Sequence, residues 1–370
     1  MTRAAFITDT HIGLGFKDDR VYKVLNSYAD AMDRLQPDVI FHLGDVFHTK
    51  RPAADAIEFA TTWFTRLAQA ATTVVVLAGG HDTDAHMGIT AIDFLDDLSD
   101  NIKIILEPES LGNILLMPYI RRLENKHLKM LTQHDIVFMH QGIADAPLDN
   151  QGRKYGTVMD AVNSEYLHHL CLCLNGHMHT PWTSGNIHVI GSPYPTRRGM
   201  LADSRSYPVL DLENLDDLTF YNYEDTFSLK KVNVEYDPDP DLKLKNDLYR
   251  ALPPRETNVF YYVDIAVTGQ VTQALYLEIR KIVESVYKKQ LDDLSVISVL
   301  PHDQRDAIDS LKRATRKMEN TSPVAMMQVW MEDRRRKAYF DANPKLRERM
   351  VAAFGDIVSG ISGSLDATFD

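Results

Sequence analysis

Five hydrophobic runs in the first half of this chain end in residues that bind metals. They close on Asp9-Thr10-His11, Gly44-Asp45-Val46-Phe47-His48, Gly79-Gly80-His81-Asp82, His140-Gln141 and Gly176-His177-Met178-His179. A β-strand that stops in Asp and His presents those side chains at the end of a sheet, so five such ends can converge on one pocket. Asp9 and His11 are two apart on extended backbone and point the same way, as do His177 and His179. Asp45 follows Gly44 in a tight turn, which lets its carboxylate enter a crowded centre. Imidazoles mixed with carboxylates suit manganese, iron or zinc better than magnesium, which prefers oxygen ligands. One carboxylate can bridge two metals about 3.5–4 Å apart, and such a pair polarises a phosphate and activates a water as nucleophile. Any one of these histidines alone reads as a solvated strand end; the ordered set reads as a two-metal phosphoesterase site.

The spacing predicts how the runs are connected. Strands are expected at 4–8, 39–43, 73–78, 102–106, 114–117, 136–139, 170–174 and 188–190, with helices over 20–35 and 53–70. Near-continuous apolar strands alternating with helices predict an α/β fold whose sheets are covered on both faces. At 370 residues the chain exceeds the size at which one core usually stops growing. The pattern changes near residue 225, after which strands at 232–236, 258–267 and 294–300 and helices at 241–252 and 272–289 predict a small second α/β domain over 226–300. Residues 301–354 read as a helical segment, and 355–370, rich in Gly, Ser and Asp, as a flexible tail.

The bulk numbers exclude some classes. A net charge of −12 argues against a simple basic nucleic-acid binder, although it leaves room for a nucleic-acid enzyme with a local basic surface. No apolar run approaches the roughly 20 residues needed to cross a bilayer, and the start lacks a signal peptide's apolar region, so a cytoplasmic protein is expected. Cys171 and Cys173, two apart on an expected strand, read as buried reduced thiols.

The motifs Thr8-Asp9-Thr10-His11-Ile12-Gly13, Gly44-Asp45-Val46-Phe47-His48, Gly176-His177-Met178-His179 and Gly191-Ser192-Pro193 resemble, in order and spacing, those of the calcineurin-like metallophosphoesterases. Within that family the chain looks like the SbcD-type nuclease subunits of double-strand-break repair complexes. The resemblance covers residues 1–200 by motif and the remainder by layout only. It implies a four-layer α/β sandwich with a cap domain and a C-terminal helical segment. It implies one metal held by Asp9, His11, Asp45 and His179, and a second held by Asp45, His140, His177 and the residue at 80, with Asp45 bridging. It places His81 to stabilise or protonate the leaving oxygen, and His48 to position the site or the nucleic-acid strand. The chain departs from the family at Gly80, where the pattern has an Asn whose amide oxygen serves the second metal.

The same resemblance implies a manganese-dependent DNA exonuclease and endonuclease that works as a homodimer with an SbcC-type coiled-coil ATPase, in a bacterium or in the bacterial host of a virus. Arg197 and Arg198, close behind the last metal motif, and Arg153 with Lys154, behind His140, are candidate phosphate contacts, with plain surface charge as the alternative. Val329, Trp330, Tyr339 and Phe340 lie at helical spacing beside the basic run 334–337 and are candidates for docking the ATPase. An amphipathic helix packed on its own domain explains them as well. Two other functions stay open: a phosphodiesterase or phosphatase on the same fold, and a non-catalytic or weakly active scaffold, which Gly80 makes plausible.

Overall fold

The structure is a computed structural model and describes residues 2–15, 19–84, 89–147, 154–156, 158–196, 200, 205–236, 244–268 and 271–299. The expected helical segment 301–354 and tail 355–370, with Val329, Trp330, Tyr339 and Phe340, lie outside these residues, as do Arg153, Arg197 and Arg198. The chain divides into two compact units. The first is Met1–Val234, Asp241–Ile265 and Gln273–Val296, and it holds Asp9, His11, Asp45, His140, His177 and His179. The second is Glu235–Pro240, Ala266–Thr272 and Ile297–Asp370, of which the described residues are mainly strand ends.

Along the chain run β1 (Arg3–Ile7), α1 (Arg20–Leu35), β2 (Val39–His42), α2 (Ala54–Ala70), β3 (Thr73–Leu77), β4 (Ile102–Ile105), β5 (Glu109–Leu111), β6 (Ile114–Met117), α3 (Asn125–Leu131), β7 (Ile136–Met139), β8 (Leu172–Asn175), β9 (Trp182–Ser184), β10 (Ile187–Val189), β11 (Ser206–Asp211) and β12 (Asn214–Asn222). Then follow β13 (Ser228–Tyr236), α4 (Leu244–Ala251), β14 (Val259–Thr268), α5 (Gln273–Tyr287) and β15 (Leu291–Val299). One six-stranded sheet has the order β12-β11-β1-β2-β3-β4 and a second has β9-β10-β8-β7-β6-β5. The inner strands of each are parallel, β1 to β2 to β3 to β4 and β6 to β7 to β8 to β10. A separate three-stranded sheet is formed by β13, β14 and β15.

The uninterrupted apolar strands follow from this layering. In β1, Ala4 and Phe6 enter a core between the two sheets, while Ala5 and Ile7 enter a core under α1 and α2. Phe6, Phe41 and Phe138 meet in the inter-sheet core with ring centroids 4.8–5.1 Å apart. Trp63, Phe64, Tyr28 and Leu25 fill the helix-side core. A third core on the outer face of the second sheet holds Met117, Val137, Met139 and Cys173. Helices, sheet, sheet and outer elements make the four-layer α/β sandwich.

Two expectations need correction. Cys171 is exposed, because the strand begins one residue later at Leu172; only Cys173 is buried. The return strands β11 and β12 were not expected, since Pro208 interrupts one and the other is almost wholly exposed.

Candidate metal centre

The carboxyl ends of β1, β2 and β3 in one sheet and of β7 and β8 in the other deliver the predicted residues to one place. Asp9, His11, Asp45 and His179 bring one donor atom each within 4.8 Å of one another, and so do Asp45, His140 and His177. Asp45 belongs to both sets. Its Oδ2 lies 3.8 Å from His11 Nε2 and 3.4 Å from His140 Nε2. Asp9 Oδ1 lies 3.4 Å from His179 Nε2, and the Nε2 atoms of His11 and His179 are 2.9 Å apart. Asp9, His11, Asp45 and His140 are buried, and His177 and His179 are partly open.

The extended backbone expected at Asp9–His11 and His177–His179 is not found: the strands end at Ile7 and Asn175, and the donors stand on tightly turned loops beyond them. Asp9, His11, Asp45 and His177 all have positive φ, at 52°, 38°, 53° and 67°. Such conformations cost of order 1 kcal/mol or more for a residue with a Cβ and persist where the surroundings over-determine them. The loops after β1 and β2 are tied together by Asp9 N–H to Gly44 O (2.9 Å), His11 N–H to Asp45 O (3.1 Å) and Ile12 N–H to Val46 O (2.8 Å). Gly44 has φ 100°, and a Cβ there would lie 2.4 Å from His140 Nδ1. At Gly79 a Cβ would lie 2.2 Å from Asp45 Oδ1, so only glycine lets the third loop approach.

Two buried groups that the sequence reading did not single out hold this arrangement. Asp82 accepts the backbone N–H groups of Gly79 (2.9 Å), Phe47 (3.0 Å) and Val46 (3.2 Å), stapling the third loop to the second. Burial, followed by the charge of Asp45, pushes its carboxyl up to about 6. His42 accepts from Gly44 N–H at Nδ1 (3.3 Å) and lies 2.9 Å from Thr10 Oγ1 at Nε2. Burial drives its imidazole down to about 3, so it stays neutral.

The electrostatics favour cations. Burial would raise Asp9, but the contact with His179 and the nearby His140 hold it down to about 2. Asp45 is likewise held well below the usual carboxylate range: burial opposes this, and the nearby charge of His140, 3.4 Å away, outweighs it. His140, despite burial, is pushed up to about 9 by Asp45. The ring directions are fixed. His140 Nδ1 is bonded to Leu43 O and His179 Nδ1 to Thr196 Oγ1, which turns each Nε2 inward. Asp9 Oδ1, His140 Nε2 and His177 Nδ1 are buried and make no hydrogen bond among the described residues. Buried polar atoms are rarely left so, and a pair of divalent ions is the group these donors fit.

His81 is exposed, with its backbone N–H on Asp45 Oδ1 (2.8 Å) and its Nδ1 on the carbonyl of His48 (2.7 Å). A nitrogen each of His11, His48 and His81 also come within 4.8 Å of one another. Gly80 offers no side chain, and a Cβ there would lie 3.3 Å from the Tyr119 ring. Among the DNA-contact candidates only Lys154 is described; it is exposed and bridges Pro147.

Sequence profiles of known families agree with this geometry. The profile of the calcineurin-like phosphoesterases matches residues 2–194, more than half of the chain, and the chain belongs to that family. It is also similar to the DNA double-strand break repair protein Mre11 of Sulfurisphaera tokodaii, 26% identical over 161 residues, which are 39% of this chain and 42% of that protein. The match therefore spans less than half the length of this relative. Solved structures similar to this chain include TT1561 of Thermus thermophilus (TM-score 0.39, 13% identity, 60% of this chain and 98% of that one). Another is a dimetal phosphatase from Danio rerio (TM-score 0.40, 10% identity, 60% of this chain and 96% of that one). No described helix is long and apolar enough to cross a membrane.

Proposed function

We propose that this metal-dependent phosphoesterase is a DNA nuclease that cleaves phosphodiesters with two manganese ions. In this reading Asp9, His11, Asp45 and His179 hold one ion, and Asp45, His140 and His177 hold the other. The observation that carries it is the set of buried, unbonded donor atoms converging on a shared Asp45. When bound, the ions supply positive charge to the phosphate and activate a water. His81, its Nδ1 engaged by the His48 carbonyl, has Nε2 left to face the leaving oxygen, which it would protonate as an imidazolium. His48 thus positions His81 through its main chain. The choice of DNA is supported by the name of the Sulfurisphaera relative and by the layout of cap and basic helix in the sequence. Manganese is supported by the donor set, rich in imidazole.

The same proposal includes Lys154, Arg153, Arg197 and Arg198 as backbone-phosphate contacts and 226–300 as a DNA-facing cap. It also includes 301–354 as the docking segment for a coiled-coil ATPase, a homodimer, and a cytoplasmic setting in a bacterium or phage-infected cell. A second reading, a weakly active scaffold, is favoured by one observation: Gly80 lacks a donor. The test compares cleavage of single-stranded and duplex DNA, a nucleotide phosphodiester and a phosphopeptide, with and without manganese. Manganese-dependent DNA cleavage that falls about 10³-fold or more in Asp45→Ala is expected, since both ions and their electrostatic stabilisation go with it. Equal traces of activity in parent and variant would establish the scaffold; preference for the phosphopeptide would establish a phosphatase.

A further inference from the structure

His177 is the one donor of the second set whose ring is oriented by side chains alone. Its Nε2 lies 2.8 Å from the Tyr155 hydroxyl and 3.7 Å from Asp160 Oδ2. Asp160 Oδ2 also receives the hydroxyls of Tyr119 (3.1 Å) and Tyr155 (3.2 Å). A phenol has one proton. If Tyr155 donates it to Asp160, its oxygen must accept from His177 Nε2–H. That fixes the tautomer: Nε2 carries the proton and Nδ1 is bare. Nδ1 is the buried atom with no hydrogen bond. His140 is held from the opposite side of its ring, with Nδ1 on a carbonyl and Nε2 3.4 Å from Asp45 Oδ2.

The network is built into the fold. Tyr119 is placed by its N–H on Ala78 O (2.8 Å), and its ring stacks on His177 with centroids 5.4 Å apart and planes at 28°. Tyr155 lies over Gly142, where a Cβ would come 2.3 Å from its ring. Gly142 N–H in turn holds Asp160 O at 3.2 Å. The Tyr119 ring also faces Gly80, the position with no donor of its own.

We propose that Asp160, acting through Tyr155 and Tyr119, positions His177 to ligate the second ion through Nδ1. The brace steadies a half-centre that lacks a donor at position 80. The inference rests on the metal-centre reading above. Partners of this kind hold a ligand's tautomer and angle, and their loss typically weakens a metal by about 10- to 100-fold.

The experiment uses the full chain with Tyr155→Phe, Asp160→Asn and Tyr119→Phe. Manganese titration followed by electron paramagnetic resonance counts the ions, and long-range proton–nitrogen correlation reads the His177 tautomer in the metal-free protein, assigned with His177→Gln. The parent should bind two ions and show the Nε2–H tautomer. Tyr155→Phe and Asp160→Asn should mix the tautomers and weaken the second ion about 10- to 100-fold with the first unchanged, and Tyr119→Phe should do so less. Thermal unfolding checks each variant. Should Asp160→Asn fail to fold, Tyr155→Phe, which deletes one oxygen, decides. A parent with two ions and variants that match it overturn the brace alone. A parent with no second ion overturns the metal reading and the brace together, whatever the tautomer.

Discussion

The two halves of the centre are built differently. Three of the four donors of the first set, Asp9, His11 and Asp45, stand on two adjacent loops whose main chains are bonded to each other at 2.9 and 3.1 Å. The fourth, His179, has its carbonyl held by the buried guanidinium of Arg205 (3.0 Å). The second set shares Asp45 but otherwise depends on His140 and His177 from the other sheet, with Gly80 contributing no side chain. Main-chain bonds in a strained loop leave a donor nowhere else to go. A ring held by two phenols and a carboxylate can be retuned by one substitution. The first half therefore reads as fixed and the second as adjustable.

Removing one donor from each half should break this comparison most sharply. Asp9→Ala is expected to lose the first ion and keep the second; His177→Ala should do the reverse. Each should reduce phosphodiester cleavage by roughly 10²- to 10³-fold, the scale of losing one preorganised electrostatic group. Ion counting by atomic absorption beside the rate measurement checks it. If either variant releases both ions, the halves are one cooperative unit and the distinction falls.

The donors of both halves were legible. The left-handed backbone that carries Asp9, His11, Asp45 and His177 gives no signal in the sequence, whereas Asp9, His11, Asp45, His140, His177 and His179 all end apolar runs, a signal that survives in one dimension. The inner strands were readable for the same reason: Ile114–Met117 and Ile136–Met139 are apolar throughout because each lies between two cores. What braces the site was not readable. Tyr119 is 41 residues from Asp160, Tyr155 and Asp160 stand outside the regular strands, and nothing in the spacing of a lone Asp marks it as the acceptor of two phenols. Asp82 stood in view within Gly79-Gly80-His81-Asp82, yet its partners Val46 and Phe47 are brought to it only by tertiary folding. His42 falls within the expected strand 39–43 without a pattern to mark it, and its strand face turns it into the helix-side core beside Phe64 (ring centroids 5.8 Å apart).

A gentler change sharpens the adjustable half. Gly80→Asn should supply an amide oxygen and tighten the second ion about 10-fold, the scale of one restored partner in a metal site, with a rise in cleavage rate. The gain is limited by Tyr119, whose ring must yield a few tenths of an ångström to the new Cβ at 3.3 Å while tied to Asp160. Calorimetric titration of manganese into the parent and Gly80→Asn measures it. Unchanged affinity and rate would mean that position 80 does not face the second ion.

The smallest effect tests the fixed half through its foundation. His42 joins Thr10, between Asp9 and His11, to Gly44, beside Asp45. Its folded value of about 3 lies below the usual 6.5 of the unfolded chain. Between those values the unfolded state binds the extra proton, so His42 makes stability fall as pH drops from 6.5 toward 3. Asp82 acts in the opposite sense: its folded value of about 6 exceeds the usual 3.8, so the native state takes up its proton first and gains as pH falls from 6 toward 3.8. The two partly cancel in the parent, which is why a difference is needed. Chemical unfolding of the metal-free parent and of His42→Gln across roughly pH 4 to 7 isolates the imidazole. The parent should lose stability relative to the variant by roughly 1 kcal/mol for each pH unit below 6.5, the value of one proton's linkage. Parallel profiles would show that His42 reaches solvent on protonation, and that the loops carrying Asp9, His11 and Asp45 give way more readily than their main-chain bonds imply.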